Sequence, residues 1–454
     1  MESQRMDIKV AEHVVVPFSG DSGGNGELSW GQQSVWKGMV DSGVSLTMTA
    51  VRELAPGAQI AQFTAEYGFY LSRYETMRTL LRFDADGRAT QLVPTSGTAV
   101  IEVYDADGAD PARVAAEVGE RYTAVNFDYE REWPMRWALV RHQGALTHAV
   151  VALAHHVADP TSALAMFEDL RDRDPVTGEP PRPPGIQPLE QARLQQTPSG
   201  RRQNEAALRY WEQQLRAIPP TMFPAAVFRH HTDRYPGRFW QAEYTSPGLH
   251  LALRAVAARL GTNTGAVLYA AFARALSATT GVGQVATTIT VNNRFRPGLG
   301  NAAGPMAQLG LCTIEVGADF AELVRSARRR LLTAQKHAYY SPFEGDEVVA
   351  AVAADRGTSI DLRCMFNDRR GDEGPIADVP TRAGISDALA DTRTVWKEVE
   401  GLHQMFMIHV NPHPTAVDAL IQVDTNYLPR ADAVRLLELM ESTVLDAALD
   451  PVVP

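Results

Sequence analysis

Ala145–Leu170 reads ALTHAVVALAHHVADPTSALAMFEDL, and the fold turns on how this stretch is parsed. Val150–Ala154 is an apolar run of strand length. It stops at the adjacent pair His155-His156, which a short turn follows. Asp159 then stands where a helix N-cap belongs, and Pro160 at the first helical position, where its missing N–H costs nothing. Leu164, Met166, Phe167 and Leu170 supply the apolar face of the ensuing helix. Titratable groups at such a strand end sit beside buried walls and the positive end of a helix dipole, where their protonation can be tuned for chemistry.

A chain of 454 residues is long for one core and comfortable for two. The net charge of −11 argues against a nucleic-acid or anionic-membrane binder. Cys312 and Cys364 lie far apart in apolar strand-like runs and fit neither a metal spacing nor a disulfide framework, which points to a reducing cytoplasm. No run is apolar for long enough to span a bilayer, and the N-terminus has no signal-peptide core.

Taken in order, the chain begins with an N-terminal extension, 1–27, holding a strand candidate at Ile8–Phe18 and a loop, SGDSGGNGE. Gly20-Asp21-Ser22-Gly23-Gly24 matches the letters around a trypsin-like serine nucleophile, but only His13 precedes it and no barrel fits ahead of it. The loop reads as a flexible connector. An N-terminal lobe follows over 28–172: Ser29 as N-cap of a first helix, a helix over 59–80, strands near 80–84 and 97–104, and a helix opened by Asp110-Pro111. The hairpin Met135–Arg141 and Ala145–Ala154 then delivers the histidines. Seven prolines make 173–199 a linker with a short helix near 189–196. A C-terminal lobe spans 200–454. His230-His231 reads as surface loop, and neither histidine pair has the spacing of a zinc site.

The strand–histidine–aspartate–helix stretch resembles the core motif of the condensation domains of non-ribosomal peptide synthetases, in the chloramphenicol-acetyltransferase-like superfamily. That motif is His-His-three residues-Asp-Gly. One alignment deletes a turn residue and makes His156 the second motif histidine. The gapless one places Ala154 and His155 at the two histidine positions, with Asp159 and Pro160 closing the motif. It is preferred because the flanking apolar positions stay in register, whereas a one-residue slip would turn every strand side chain to the opposite face. His155 is then the catalytic candidate and His156 the alternative. Ser72-Arg73-Tyr74-Glu75-Thr76-Met77-Arg78-Thr79 is similar to the family's Arg-His-Glu-x-Leu-Arg-Thr, in which an arginine pairs with the motif aspartate. By this resemblance Arg73 supports Asp159, with Arg78 as fallback. Tyr210-Trp211 and Ser341-Pro342-Phe343-Glu344 also resemble family segments, and the likeness covers about 28–450.

The resemblance implies an α/β fold (an α+β sandwich) of two chloramphenicol-acetyltransferase-like lobes in a V-shaped cleft with His155 at its floor. It implies a free-standing condensation enzyme of natural-product biosynthesis, joining an acyl or aminoacyl thioester to an amine or alcohol acceptor. The thioester would arrive on the phosphopantetheine arm of a partner peptidyl or acyl carrier protein, with no cofactor or metal bound by the chain itself. With Ala154 and Pro160 in the motif, a catalytically degenerate domain that binds carriers or recruits a partner enzyme is an alternative, as is an acyl-CoA-dependent acyltransferase. The basic helix around Arg325–Lys336 reads as a solvated face or a surface for an acidic carrier.

Overall fold

The apolar run ahead of the histidines is the second arm of a hairpin. Met135–His142 and Ala145–Leu153 pair antiparallel, Ala138 opposite Val150 and Met135 opposite Leu153, across a turn where Gly144 takes φ +79°. Only glycine enters that region without strain. The computed structural model describes residues 8–43, 45–174, 178–180, 182–226, 235–317, 319–371, 378–402 and 404–450; His230-His231 lies outside them. These fall into two compact units, residues 1–204 with 292–308, and 205–291 with 309–454.

In the first unit the elements run β1 (Val10–Ser19), β2 (Gly24–Glu27), α1 (Trp30–Ser42), β3 (Met48–Glu53), α2 (Ile60–Arg73), β4 (Leu80–Phe83), β5 (Ala89–Val93), β6 (Ser96–Asp105), α3 (Pro111–Ala124), β7 (Met135–His142), β8 (Ala145–Leu153), α4 (Pro160–Arg171) and α5 (Pro188–Gln195). One sheet has the order β1-β6-β7-β8-β3 and a smaller one β2-β5-β4. α2 covers one face of the larger sheet: Tyr67 stacks on Trp137 with centroids 5.3 Å apart. α3 covers the other through Val114, Val118 and Tyr122. Each such large apolar side chain, fully buried, stabilises by about 1.5–3 kcal/mol.

The second unit contains most of α6 (Pro198–Ala217), then β9 (Phe239–Ser246), α7 (Pro247–Leu260), α8 (Thr264–Thr280), all but the last residue of β10 (Gln284–Asn292), most of β11 (Ala307–Glu315), α9 (Phe320–Lys336), α10 (Pro342–Arg356), β12 (Cys364–Asp368), α11 (Arg382–Ala388), β13 (Arg393–Glu398), β14 (Phe406–Asn411), β15 (Val417–Asp424) and α12 (Arg430–Leu449). Its sheet has the order β11-β10-β12-β14-β15-β9-β13. Phe272 of α8 stacks on Phe366 of β12, centroids 5.1 Å apart, at the centre of its core. Each unit is thus the mixed sheet-and-helix fold that the resemblance implied.

Several boundaries differ from expectation. The N-terminal segment is no extension: β1 is a full edge strand, pairing with β6 from Val10 to Ser19, and the expected connector contains β2. Its Gly20-Asp21-Ser22 letters serve Arg78, whose Nη2 donates to the Ser22 carbonyl at 2.8 Å; a Cβ at Gly20 would lie 2.4 Å from the guanidinium carbon. The proline-rich segment is part of the first unit where it is described, because Gln187 accepts from the Glu75 N–H and Gln195 from the Trp30 N–H, each at 3.0 Å. Residues 292–308 also leave the expected C-terminal lobe for the first unit. They press so closely on α1 that a Cβ at Gly31 would lie 1.8 Å from the Pro305 carbonyl oxygen. On α4 the inward face is Ser162, Met166 and Asp169, while Leu164 and Phe167 are exposed. Of the apolar face read from sequence, Met166 is buried and Leu170 packs against the same core, so the inward face is shared with the polar Ser162 and Asp169.

Candidate active site

β8 ends at Leu153, and His155–Val157 form a single 3-10 turn before Asp159 caps α4. Within this turn the two histidines project in different directions. His155 is partly exposed, and its Nδ1 lies 2.9 Å from the Ala158 carbonyl oxygen. A carbonyl only accepts, so this contact selects the tautomer with the proton on Nδ1 and leaves Nε2 with a free lone pair. Among the described residues Nε2 of His155 has no hydrogen-bond partner. An imidazole held this way can accept a proton through Nε2 while Nδ1 stays anchored.

His156 turns inward and is 1 % exposed. Its ring meets Tyr129 edge-on at 5.3 Å, and neither ring nitrogen has a hydrogen-bond partner among the described residues. Burial, with the neighbouring His155, drives its pKa down to about 3. It therefore stays neutral and out of reach of a solute, and packs within the first unit. Ala154 is fully buried beside it.

Asp159 is the hub of the loop. Its Oδ1 accepts from the Ser162 N–H at 2.7 Å, completing a capping box with the Ser162 hydroxyl. Nη2 of Arg294 donates to Oδ1 and Oδ2 at 2.9 and 3.1 Å, and the Met306 N–H to Oδ2 at 2.9 Å. The pair is buried, with 8 % of the Arg294 side chain and 6 % of the Asp159 side chain exposed. The same guanidinium donates to the carbonyls of Ala302 and Gly304 at 2.6 and 2.9 Å. The hydroxyl of Thr76 bonds the Val157 carbonyl, fixing the turn from the other side.

Arg73 does not support Asp159; this expectation is corrected. Its Nη2 donates to Asp169 at 3.0 Å, one helical face along α4, and that carboxylate also accepts from Tyr74 at 2.6 Å and Arg182 at 3.0 Å. Burial raises the Asp169 pKa, but these hydrogen bonds outweigh it and hold the carboxyl below its ordinary value. The fallback Arg78 is corrected as well. It is 1 % exposed and spends its donors on the carbonyls of Leu71, Ser72, Ser22 and Pro94. Arg294, the residue that does pair with Asp159, reads in sequence only as the third letter of a loop opening, Asn292-Asn293-Arg294. Its partner is 135 positions away, and no local pattern marks it.

Among the described residues no group of histidine, cysteine, aspartate or glutamate could hold a metal ion, and no helix is long and apolar enough to cross a membrane.

A Condensation domain family model matches residues 28–359. The nonribosomal peptide synthetase kk1B of Curvularia clavata is 27 % identical over 316 residues, covering 66 % of this chain. The chain spans only 2 % of that relative's length. Among solved structures, the condensation domain behind chain release from the enacyloxin polyketide synthase has a TM-score of 0.67 at 19 % identity, covering 96 % of this chain and 84 % of its own. The X-domain from teicoplanin biosynthesis, solved in complex with OxyB, has a TM-score of 0.68 at 18 % identity, covering 94 % and 93 %. Likeness at these identities shows the fold, two chloramphenicol-acetyltransferase-like units.

Proposed function

Since the chain belongs to the condensation-domain family, we propose that it is an acyltransferase that joins a carrier-bound acyl or aminoacyl thioester to an amine or alcohol. The observation that carries this reading is the anchored tautomer of His155, with Nδ1 bound to the Ala158 carbonyl and Nε2 without a partner among the described residues. The acceptor nitrogen or oxygen attacks the thioester carbonyl while Nε2 of His155 takes its proton. The new C–N or C–O bond forms, the C–S bond breaks, and the proton passes to the departing thiolate of the phosphopantetheine arm. No covalent enzyme intermediate is needed, because the thioester is already activated. General-base assistance of this kind contributes about 10²–10⁴-fold, and holding the two reactants in line contributes much of the rest. The buried Asp159–Arg294 pair ties the cap of α4 to the 292–308 segment and so positions the turn that carries His155.

The test is intact-mass detection of transfer from a panel of acyl-loaded carrier proteins to mixed amines and alcohols, with the matching acyl-CoA donors run alongside. A product formed from carrier-bound donors supports the proposal. Equal turnover of acyl-CoA would assign an acyl-CoA-dependent acyltransferase instead.

A second reading, a domain that recruits a partner enzyme without turnover, is favoured by the likeness to the X-domain solved with OxyB. Ala154, fully buried at the position of the family's first motif histidine, fits it too. Carrier or enzyme binding with no product, unchanged by loss of His155, would establish it.

A further inference from the structure

In the larger sheet of the first unit α3 packs over β3, β7 and β8. Alternation along β6 puts Val100 and Glu102 on the same face as Tyr104, which belongs to the α3 core. That face is open toward the outer strands: Val100 stands opposite Val15 of β1, and the two are 42 % and 61 % exposed. A cavity of about 690 Å³ lies there, bounded by the sheet, the last turn of α3 and residues 128–136. One wall is the half-buried Trp133, whose Nε1 donates to the Thr98 carbonyl at 2.8 Å and whose ring meets Phe18 edge-on at 5.1 Å. This indole is fixed in place without a ligand, so binding against it costs little ordering.

The charged groups around the cavity divide into two sets. Arg136 and Glu132 satisfy each other through two bonds, at 2.6 and 3.0 Å, and Arg131 pairs with Asp128 at 3.4 Å. Glu102 and Arg121 keep capacity in hand. Oε2 of Glu102 accepts from the hydroxyls of Tyr104 and Tyr122, at 2.6 and 2.8 Å, while Oε1 has no hydrogen-bond partner among the described residues. Arg121, in the last turn of α3, has neither a hydrogen bond nor an ion pair among them. It lies near enough to Tyr104 to oppose the rise that burial and Glu102 impose on that phenol's pKa, which sets it beside the same cluster. His13, opposite Glu102 on β1, is exposed and also without a hydrogen bond among the described residues.

A carboxylate oxygen and a guanidinium with unused hydrogen-bonding capacity, around a fixed aromatic wall, suit a molecule that carries both charges and a flat apolar body. We propose that this cavity binds a free, zwitterionic aromatic amino acid or dipeptide, with its ammonium on Oε1 of Glu102, its carboxylate on Arg121 and its ring against Trp133. The volume is within the range of about 300–1,000 Å³ usual for small-molecule sites. His155, Asp159 and Arg294 do not line the cavity. It is a second site, and the inference stands or falls independently of acyl transfer.

The test titrates the full chain calorimetrically with L-tryptophan, L-tryptophanamide and N-acetyl-L-tryptophan, and with the same forms of glycyl-L-tryptophan. In at least one series the zwitterion should bind about tenfold or more tighter than either analogue that lacks a charge. Arg121→Gln should erase the preference over the amide and keep that over the N-acetyl form, and Glu102→Gln should do the reverse. Arg113→Gln, in the first turn of the same helix, should change neither preference by more than about twofold. Val100→Trp fills the cavity from an exposed strand position, so it should abolish binding and keep the circular dichroism of the unmodified chain. No binding of either zwitterion, equal binding of charged and neutralised forms, a preference over the amide that survives Arg121→Gln, or full binding by Val100→Trp overturns the proposal. Glu102 also holds two tyrosines, so if Glu102→Gln unfolds the chain the exposed Arg121 decides the outcome alone.

Discussion

Asp159 and Arg294 should be energetically coupled, and the size of the coupling follows from their contacts. Asp159→Ala removes the acceptor of the Ser162 and Met306 N–H groups and leaves a buried guanidinium without its anion. Loss of the helix cap alone costs about 1 kcal/mol, and breaking a buried ion pair from one side costs about 3–5 kcal/mol. Arg294→Met leaves the carboxylate two backbone donors, so it should cost less, about 2–4 kcal/mol. Once one partner is gone the other no longer has its counter-charge to lose. The double variant should therefore fall short of the sum of the singles by about 1–3 kcal/mol. Urea denaturation followed by circular dichroism and tryptophan fluorescence measures all four corners of the cycle. A parallel cycle of Asp159→Ala with Arg73→Met should be additive within about 0.5 kcal/mol, because Arg73 spends its charge on Asp169. Additivity in the Arg294 cycle, or coupling in the Arg73 cycle, would refute the assignment of the supporting arginine.

Two further outcomes follow from buried groups. Gly20→Ala sets a methyl 2.4 Å from a guanidinium pinned by four carbonyls, so it should destabilise by about 1–3 kcal/mol; a melting temperature equal to wild type would contradict the packing around Arg78. His156 and His409 are held neutral chiefly by burial, with pKa values lowered to about 3 and about 4. Below the ordinary histidine value of about 6.5 the unfolded chain binds protons that the folded chain refuses, so stability falls as pH drops from there toward 3–4. Each histidine contributes a slope of about 1.4 kcal/mol per pH unit. His156→Phe should thus lose about 2–3 kcal/mol less than wild type between pH 6.5 and 4.5 in urea melts, and parallel pH profiles would count against a buried neutral His156.

The elements around the site were legible because their signals are local. Asp159, Pro160 and the apolar strand before them set where β8 ends and α4 begins, and Ser29 caps α1 with a capping box. The division of the histidines is not displayed by the sequence: they point apart because both lie in a 3-10 turn past the end of β8, where successive side chains project about 120° apart. What sequence does not display is long-range compensation. Asp169 looks like a solvated helix residue, yet it is 6 % exposed and takes Tyr74, Arg73 and Arg182. Arg294 looks like a loop arginine, yet its guanidinium holds Asp159 and two carbonyls of its own loop. The Gly20–Ser22 letters looked like a flexible connector, because the arginine they accommodate stands more than fifty positions later.

The central claim is that His155, through Nε2, takes the proton of the attacking nucleophile. Its most direct test is the rate of product formation by mass spectrometry for wild type, His155→Ala and His156→Phe on one acyl-loaded carrier and one acceptor. The expected loss is about 10²–10⁴-fold in His155→Ala, with His156→Phe within about tenfold of wild type, since a buried neutral ring is replaced by another of similar volume. An undiminished rate in His155→Ala, or the large loss falling on His156→Phe instead, would contradict it.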